Sequence, residues 1–165
     1  MLEKTGVPTP EQIKEVTPPE EILNSKPVVI VECFQKIPCD PCHTACPTGA
    51  ILEFEDINDL PRVDWNKCTG CALCVAKCPG LAVFVVDMTY SDKEAIVKLP
   101  YEFLPVPQKG EIVECLNREG IVVSKGKVLH VFEPFKDGTK VISVAVPKEL
   151  AMEVRHIRVV RNGGR

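Results

Sequence analysis

The stretch KCTGCALCVAKCPG, residues 67–80, places Cys68, Cys71, Cys74 and Cys78 within eleven positions and follows the last with Pro79. An earlier stretch, CFQKIPCDPCHTACPTG, residues 33–49, repeats part of it. Cys39-x2-Cys42-x3-Cys46-Pro47 recurs 32 residues later as Cys71-x2-Cys74-x3-Cys78-Pro79. Each copy runs on into a small residue and an apolar segment, TGAIL and GLAVF. A duplicated unit of strand, cysteine loop and short helix predicts a pseudo-twofold domain.

Nine cysteines in 165 residues mark either a disulfide-stapled secreted chain or a metal protein. The N-terminus, MLEKTGVPTPEQIKE, has two prolines, acidic residues and no apolar core, so it does not read as a secretory signal. The longest apolar run, LAVFVV at 81–86, is far short of the ~20 residues a membrane span needs. A reducing, cytoplasmic setting without membrane contact is therefore expected, in which thiols bind metal or do redox chemistry.

Soft thiolates suit iron–sulfur clusters. A C-x2-C-x2-C loop wraps three thiolates around one cubane. The chain then enters a short helix, so the fourth cysteine faces away and reaches a second cluster, and the following proline turns the chain aside. Zinc also takes C-x2-C pairs. Three cysteines in one loop, however, crowd a single zinc, and a repeated Cys-Pro has no purpose in a zinc knuckle.

The C-x2-C-x2-C-x3-C-P run resembles that of the bacterial two-[4Fe–4S] ferredoxins. The resemblance spans roughly residues 28–100 and leaves 1–26 and 108–165 outside it. It implies two [4Fe–4S] clusters, one held by Cys68, Cys71 and Cys74 with Cys46, the other by Cys39, Cys42 and Cys78. The family pattern puts the remaining ligand three residues before Cys39, where this chain has Lys36. The nearest thiol is Cys33. It is expected to be the fourth ligand through a bulged loop that Pro38 holds extended before Cys39; the alternative is a three-iron or open-cornered site. Small residues in the loops, among them Thr48, Gly49, Thr69, Gly70, Ala72 and Gly80, suit backbone N–H groups approaching sulfur.

The expected fold class is α+β, with three parts. Residues 1–26 form a proline-rich arm with helix starts at Thr9-Pro10 and Thr17-Pro18, either a frayed tail or an arm that docks on a partner. Residues 27–107 form the ferredoxin-like domain, with strands at VVIVECF, LAVFVVD and EAIVKLP. Beyond EFLPVPQKG, residues 108–165 are β-rich: EIVECLN, IVVSKGKVLHVFEP, KVISVAVP, one helical turn in PKELAMEV and a last strand in RHIRVV. That order resembles a small SH3-like barrel.

Residues 1–107 carry nine Lys and Arg against sixteen Asp and Glu, and residues 108–165 carry eleven against seven. An acidic cysteine-rich body with a mildly basic C-terminal unit argues against a general nucleic-acid binder. The basic tail RHIRVVRNGGR reads as a solvated terminus or as a contact for an acidic partner. His43 reads as a loop histidine, His130 and His156 as sheet residues, and Cys115 as a buried apolar thiol. No catalytic triad, phosphate loop or dinucleotide fingerprint is present, so the chain is expected not to be catalytic alone.

The resemblance extends to the small ferredoxin-like subunits of multi-subunit flavin-dependent oxidoreductases. It implies anaerobic electron transport between a flavoprotein, or other redox subunit, and a second redox partner. A free-standing ferredoxin that shuttles between enzymes is the alternative. A cluster-based redox sensor that binds nucleic acid is a third, against which stands a C-terminal unit with only Phe132 and Phe135 for stacking.

Overall fold

The computed structural model describes residues 2–136 and 138–161. Three short helices open the chain, α1 (Leu2–Thr5), α2 (Pro10–Glu15) and α3 (Glu20–Leu23). Strand β1 (Val28–Val31) leads to helix α4 (Pro41–Ala45), helix α5 (Leu73–Lys77) and strands β2 (Val83–Asp87) and β3 (Glu94–Tyr101). Four more strands follow: β4 (Ile112–Leu116), β5 (Val122–Phe132), β6 (Lys140–Pro147) and β7 (His156–Arg158).

All seven strands belong to one antiparallel sheet in the order β1-β2-β3-β6-β5-β4-β7. The expected SH3-like barrel is thus not closed. The reason lies in β6, which pairs with β5 along one edge and with all of β3 along the other, from Glu94 opposite Pro147 to Tyr101 opposite Lys140. An unpaired β3 edge would invite association with another chain; β6 covers it and joins the C-terminal strands to the cysteine unit. The sheet still curls. Register shifts at Cys115/Leu116 and Val128/His130 add local twist, and His156 on β7 stacks on Tyr101 of β3 with ring centroids 5.8 Å apart.

Both faces of the first strands are covered, which explains their unbroken apolar runs. Val83 and Val85 of β2 pack toward the cysteine loops with Val29, Val31, Ile51 and Val75. Phe84 and Val86 turn the other way, into a core inside the curl with Val97, Leu99, Ile142 and Val144. Burying each such Val, Leu or Ile stabilises the fold by about 1.5–3 kcal/mol.

The N-terminal arm packs on its own chain. Thr9 caps α2 through a full capping box with Gln12. Thr17 does not cap α3; its hydroxyl donates back to the Ile13 carbonyl (2.7 Å), and Pro19 takes the cap position. Leu23 packs against both cores and Val16 against the one inside the curl.

Candidate functional site

The two copies of the cysteine motif fold alike. Cys42 and Cys74 are each the second residue of their helix. Cys46 and Cys78 each follow the helix in extended backbone (φ/ψ −77/110° and −68/113°) and so turn away from it. Three residues further, Gly49 and Leu81 both take left-handed backbone (φ 71° and 53°). The copies differ before the helix, where Ala72 is left-handed (φ 67°) and Asp40, ahead of Pro41, has φ −143°.

Cys46 leaves its own copy and joins the other. It lines one cavity with Cys68, Cys71 and Cys74, walled by Val29 and Ile51. Burial, and then the charges of Cys71, Cys68, Cys46 and Cys42, push the Cys74 thiol up to about 12. Burial also acts to raise Cys46. The N–H groups of Ile51, Thr48 and Ala50 and the Thr48 hydroxyl, 3.7 Å from the sulfur, outweigh it and hold Cys46 below the usual thiol range. The Gly70 N–H donates to Cys68 Sγ at 3.4 Å. Gly70 itself is left-handed (φ 71°), and a Cβ there would stand 2.5 Å from Pro27 Cβ, so the loop closes at this point only with glycine.

Cys78 makes the reciprocal move. It lines a cleft with Cys33, Cys39 and Ile37, and its sulfur accepts from the Ala82 N–H at 3.4 Å. Burial pushes Cys42 up to about 11, with Cys78, Cys39 and Cys33 adding to the rise and the His43 N–H opposing it. Burial raises Cys33 too, reinforced by Cys78 and Cys39 and opposed by the Gln35 N–H. Cys39 is raised by burial, then by Cys78 and Asp40.

Two groups of four thiols therefore repel one another as anions in partly dry surroundings. Thiolates in these two groups would hold a cationic metal core, which would relieve that repulsion at the expense of the thiol protons. Among the described residues no three His, Cys, Asp or Glu side chains converge as ligands of one ion. The donor set fits a soft, multi-iron group. Cys115 stands apart, fully buried on β4. His43 Nδ1 lies 2.8 Å from the Ile51 carbonyl oxygen, and His130 stacks on Phe132.

Several residues at these loops are not apparent from the sequence. Glu32, next to Cys33, is buried between Arg118 (Nε–Oε2 3.1 Å) and Arg155 (Nε–Oε1 2.9 Å). Burial alone would raise its pKa, but the two guanidiniums hold it below the ordinary carboxylate value. The basic tail is internally paired as far as Arg161: Arg155 with Glu32, Arg158 with Glu114 and Arg161 with Glu111. Arg165 lies outside the described residues. Lys26 and Lys98 both reach the second cysteine loop. Each of these contacts spans at least 28 residues of chain, and no local pattern announces them.

Residues 61–84 match the family model described as 4Fe-4S binding domain, a span that holds Cys68, Cys71, Cys74 and Cys78. The chain is 41% identical over 51 residues to the thiosulfate reductase electron transfer subunit PhsB of Salmonella typhi, covering 28% of this chain and 26% of that one. It is 38% identical over 47 residues to pyruvate synthase subunit PorD of Methanocaldococcus jannaschii, covering 28% of this chain and 52% of that one. It is 37% identical over 65 residues to the isethionate sulfite-lyase activating enzyme of Desulfovibrio desulfuricans, covering 39% of this chain and 19% of that one. The chain thus spans about half the length of these curated relatives or less. No solved structure matches it.

Proposed function

We propose that this chain is an electron-transfer iron–sulfur subunit with two [4Fe–4S] clusters, one on Cys33, Cys39, Cys42 and Cys78, the other on Cys46, Cys68, Cys71 and Cys74. The observation that carries the reading is the exchange of Cys46 and Cys78 between the two copies of the motif. A bound cluster supplies reversible one-electron storage without bond making. The residues around it do the rest. Thiolates bind the iron, N–H groups of Gly70 and Ala82 donate to sulfur, and the valines and Ile51 exclude water.

The relatives named as subunits of a thiosulfate reductase and of a pyruvate synthase support a role inside an oxidoreductase complex. The partner is a flavoprotein or another redox subunit, in the cytoplasm, and the chain is not catalytic alone. Among the described residues no helix is long and apolar enough to cross a membrane. The arm at 1–26 and the strands beyond 108 serve docking in that complex, around a two-cluster unit at 27–107.

Anaerobic purification tests the reading. About eight iron and eight sulfide per chain are expected, with a redox-active chromophore. A colourless chain, or one that holds zinc, overturns it. Native co-purification with a flavin-containing subunit tests the partner, and a lone chain under native expression counts against a complex.

A further inference from the structure

The second cysteine loop is gripped by two ammonium groups. Lys26, the last residue of the N-terminal arm, donates to the carbonyls of Trp65 (2.7 Å), Asn66 (3.1 Å) and Cys68 (2.9 Å). A lysine has three N–H donors, so all of Lys26 is committed to this loop. Lys98, on β3, donates to the Gly70 carbonyl at 3.0 Å. Among the described residues neither ammonium pairs with a carboxylate, whereas the neighbouring Lys67 has Asp64 at 3.9 Å. Two uncompensated positive charges thus sit on the backbone between Trp65 and Gly70, the segment that presents Cys68 and leads into Cys71. Among the described residues the first loop has no such clasp: beside Cys33, the Glu32 carboxylate offsets part of the charge of Arg118 and Arg155.

We propose that Lys26 and Lys98 selectively raise the reduction potential of the centre on Cys46, Cys68, Cys71 and Cys74 relative to the centre on Cys33, Cys39, Cys42 and Cys78. The proposal rests on the two-cluster reading above. Reduction adds one electron and one unit of negative charge, with no proton taken up and no bond made or broken. A fixed cation nearby stabilises the reduced form more than the oxidised one. Burial of Cys68 and Cys74 works in the opposite direction. It is common to wild type and variants, so the lysine contribution emerges as a difference. The role also gives the arm a purpose beyond packing, since it ends on the residue that clasps the loop.

The test is a redox titration of the whole chain followed by EPR, with a small-molecule reductant and mediators, on the wild type, Lys26→Met, Lys98→Met, Lys26→Arg and Lys98→Arg. Iron is counted in each. Each methionine variant is expected to lower one midpoint, the same one in both, and to leave the other in place. The arginine variants, which keep the charge, are expected to stay near wild type. The proposal is overturned if neither midpoint moves, if both move together, or if arginine and methionine lower it equally. Should Lys26→Met lose iron, Lys98→Met leaves the three-carbonyl clasp intact and decides alone. A wild-type chain without iron overturns the cluster reading and this proposal with it; a loaded chain with unmoved potentials overturns this proposal only.

Discussion

Arg155 Nε stands 2.9 Å from Glu32 Oε1, so the segment before β7 is bonded to the residue that precedes the first cysteine of the site. Arg118, from the turn between β4 and β5, completes the arrangement with its Nε 3.1 Å from Glu32 Oε2. One carboxylate therefore joins the C-terminal strands to the Cys33 loop. Removing it leaves two largely buried guanidiniums facing each other.

Glu32→Gln is expected to destabilise the chain by roughly 3–5 kcal/mol, the range for breaking one partner out of a buried ion pair. Equilibrium denaturation of the loaded protein measures it. The pH dependence has a definite sign. Glu32 is held below its ordinary value of 4.5, so its contribution is complete above that pH and is lost as pH falls through the lower folded value. The acid limb of the wild-type stability curve should be steeper than that of Glu32→Gln. Parallel acid limbs would show that Glu32 carries no such linkage.

Gly70 and Gly49 share a φ of +71° but differ in what surrounds them. A Cβ on Gly49 meets nothing within 4 Å, whereas one on Gly70 runs into Pro27. Gly49→Ala should cost only the backbone penalty, about 1–2 kcal/mol, with iron content unchanged. Gly70→Ala should displace the loop that carries Cys68 and lower the iron count toward half. Equal iron in the two variants would mean that the contact with Pro27 relaxes freely.

The sequence already contains what is local. Cysteine spacing predicts that Cys46 and Cys78 leave their own loops, since three residues of helix rotate a side chain away from the preceding wrap, and each lines a cavity with cysteines of the other copy. The runs VVIVECF, LAVFVVD and KVISVAVP predict strands, and both faces of β1, β2 and β6 are covered, although β1 stops at Val31 and residues 32–34 already lead into the cysteine loop. What stayed hidden depends on long-range pairing. KVISVAVP reads the same whether its second edge meets the far side of a barrel or β3. The arginines of the tail read as solvated because the partner of Arg155 is 123 residues away. Lys26 reads as one more charge of a polar arm because the carbonyls it bonds lie 39–42 residues away.

Serine substitution of single cysteines checks how the two groups of four are composed. Cys46→Ser should perturb the same EPR signal as Cys68→Ser, and Cys78→Ser the same signal as Cys39→Ser, across the boundary between the copies. Cys33→Ser should resemble Cys39→Ser. Cys115→Ala, fully buried in the core inside the curl, where no other cysteine packs, should leave iron untouched and cost roughly 1–3 kcal/mol in packing. Loss of iron from Cys115→Ala, or an unchanged spectrum in Cys33→Ser, would reassign the fourth corner.

The last prediction concerns assembly. Burial and neighbouring thiolates push Cys42 up to about 11 and Cys74 up to about 12, against an ordinary value of 9.0. In the metal-free chain these groups keep their protons when folded at pH values where the unfolded chain has lost them. Stability is then fully present below about pH 9 and falls as pH rises from there through the folded values. Iron binding must displace the same protons, so loading of the metal-free chain with iron and sulfide should strengthen with pH across the neutral range. Anaerobic reconstitution at several pH values, with proton release followed by a weak buffer dye, measures both effects. Loading that is independent of pH and releases no protons would mean that the thiols are already ionised before the metal arrives, and that the repulsion within each group of four is relieved by the protein itself.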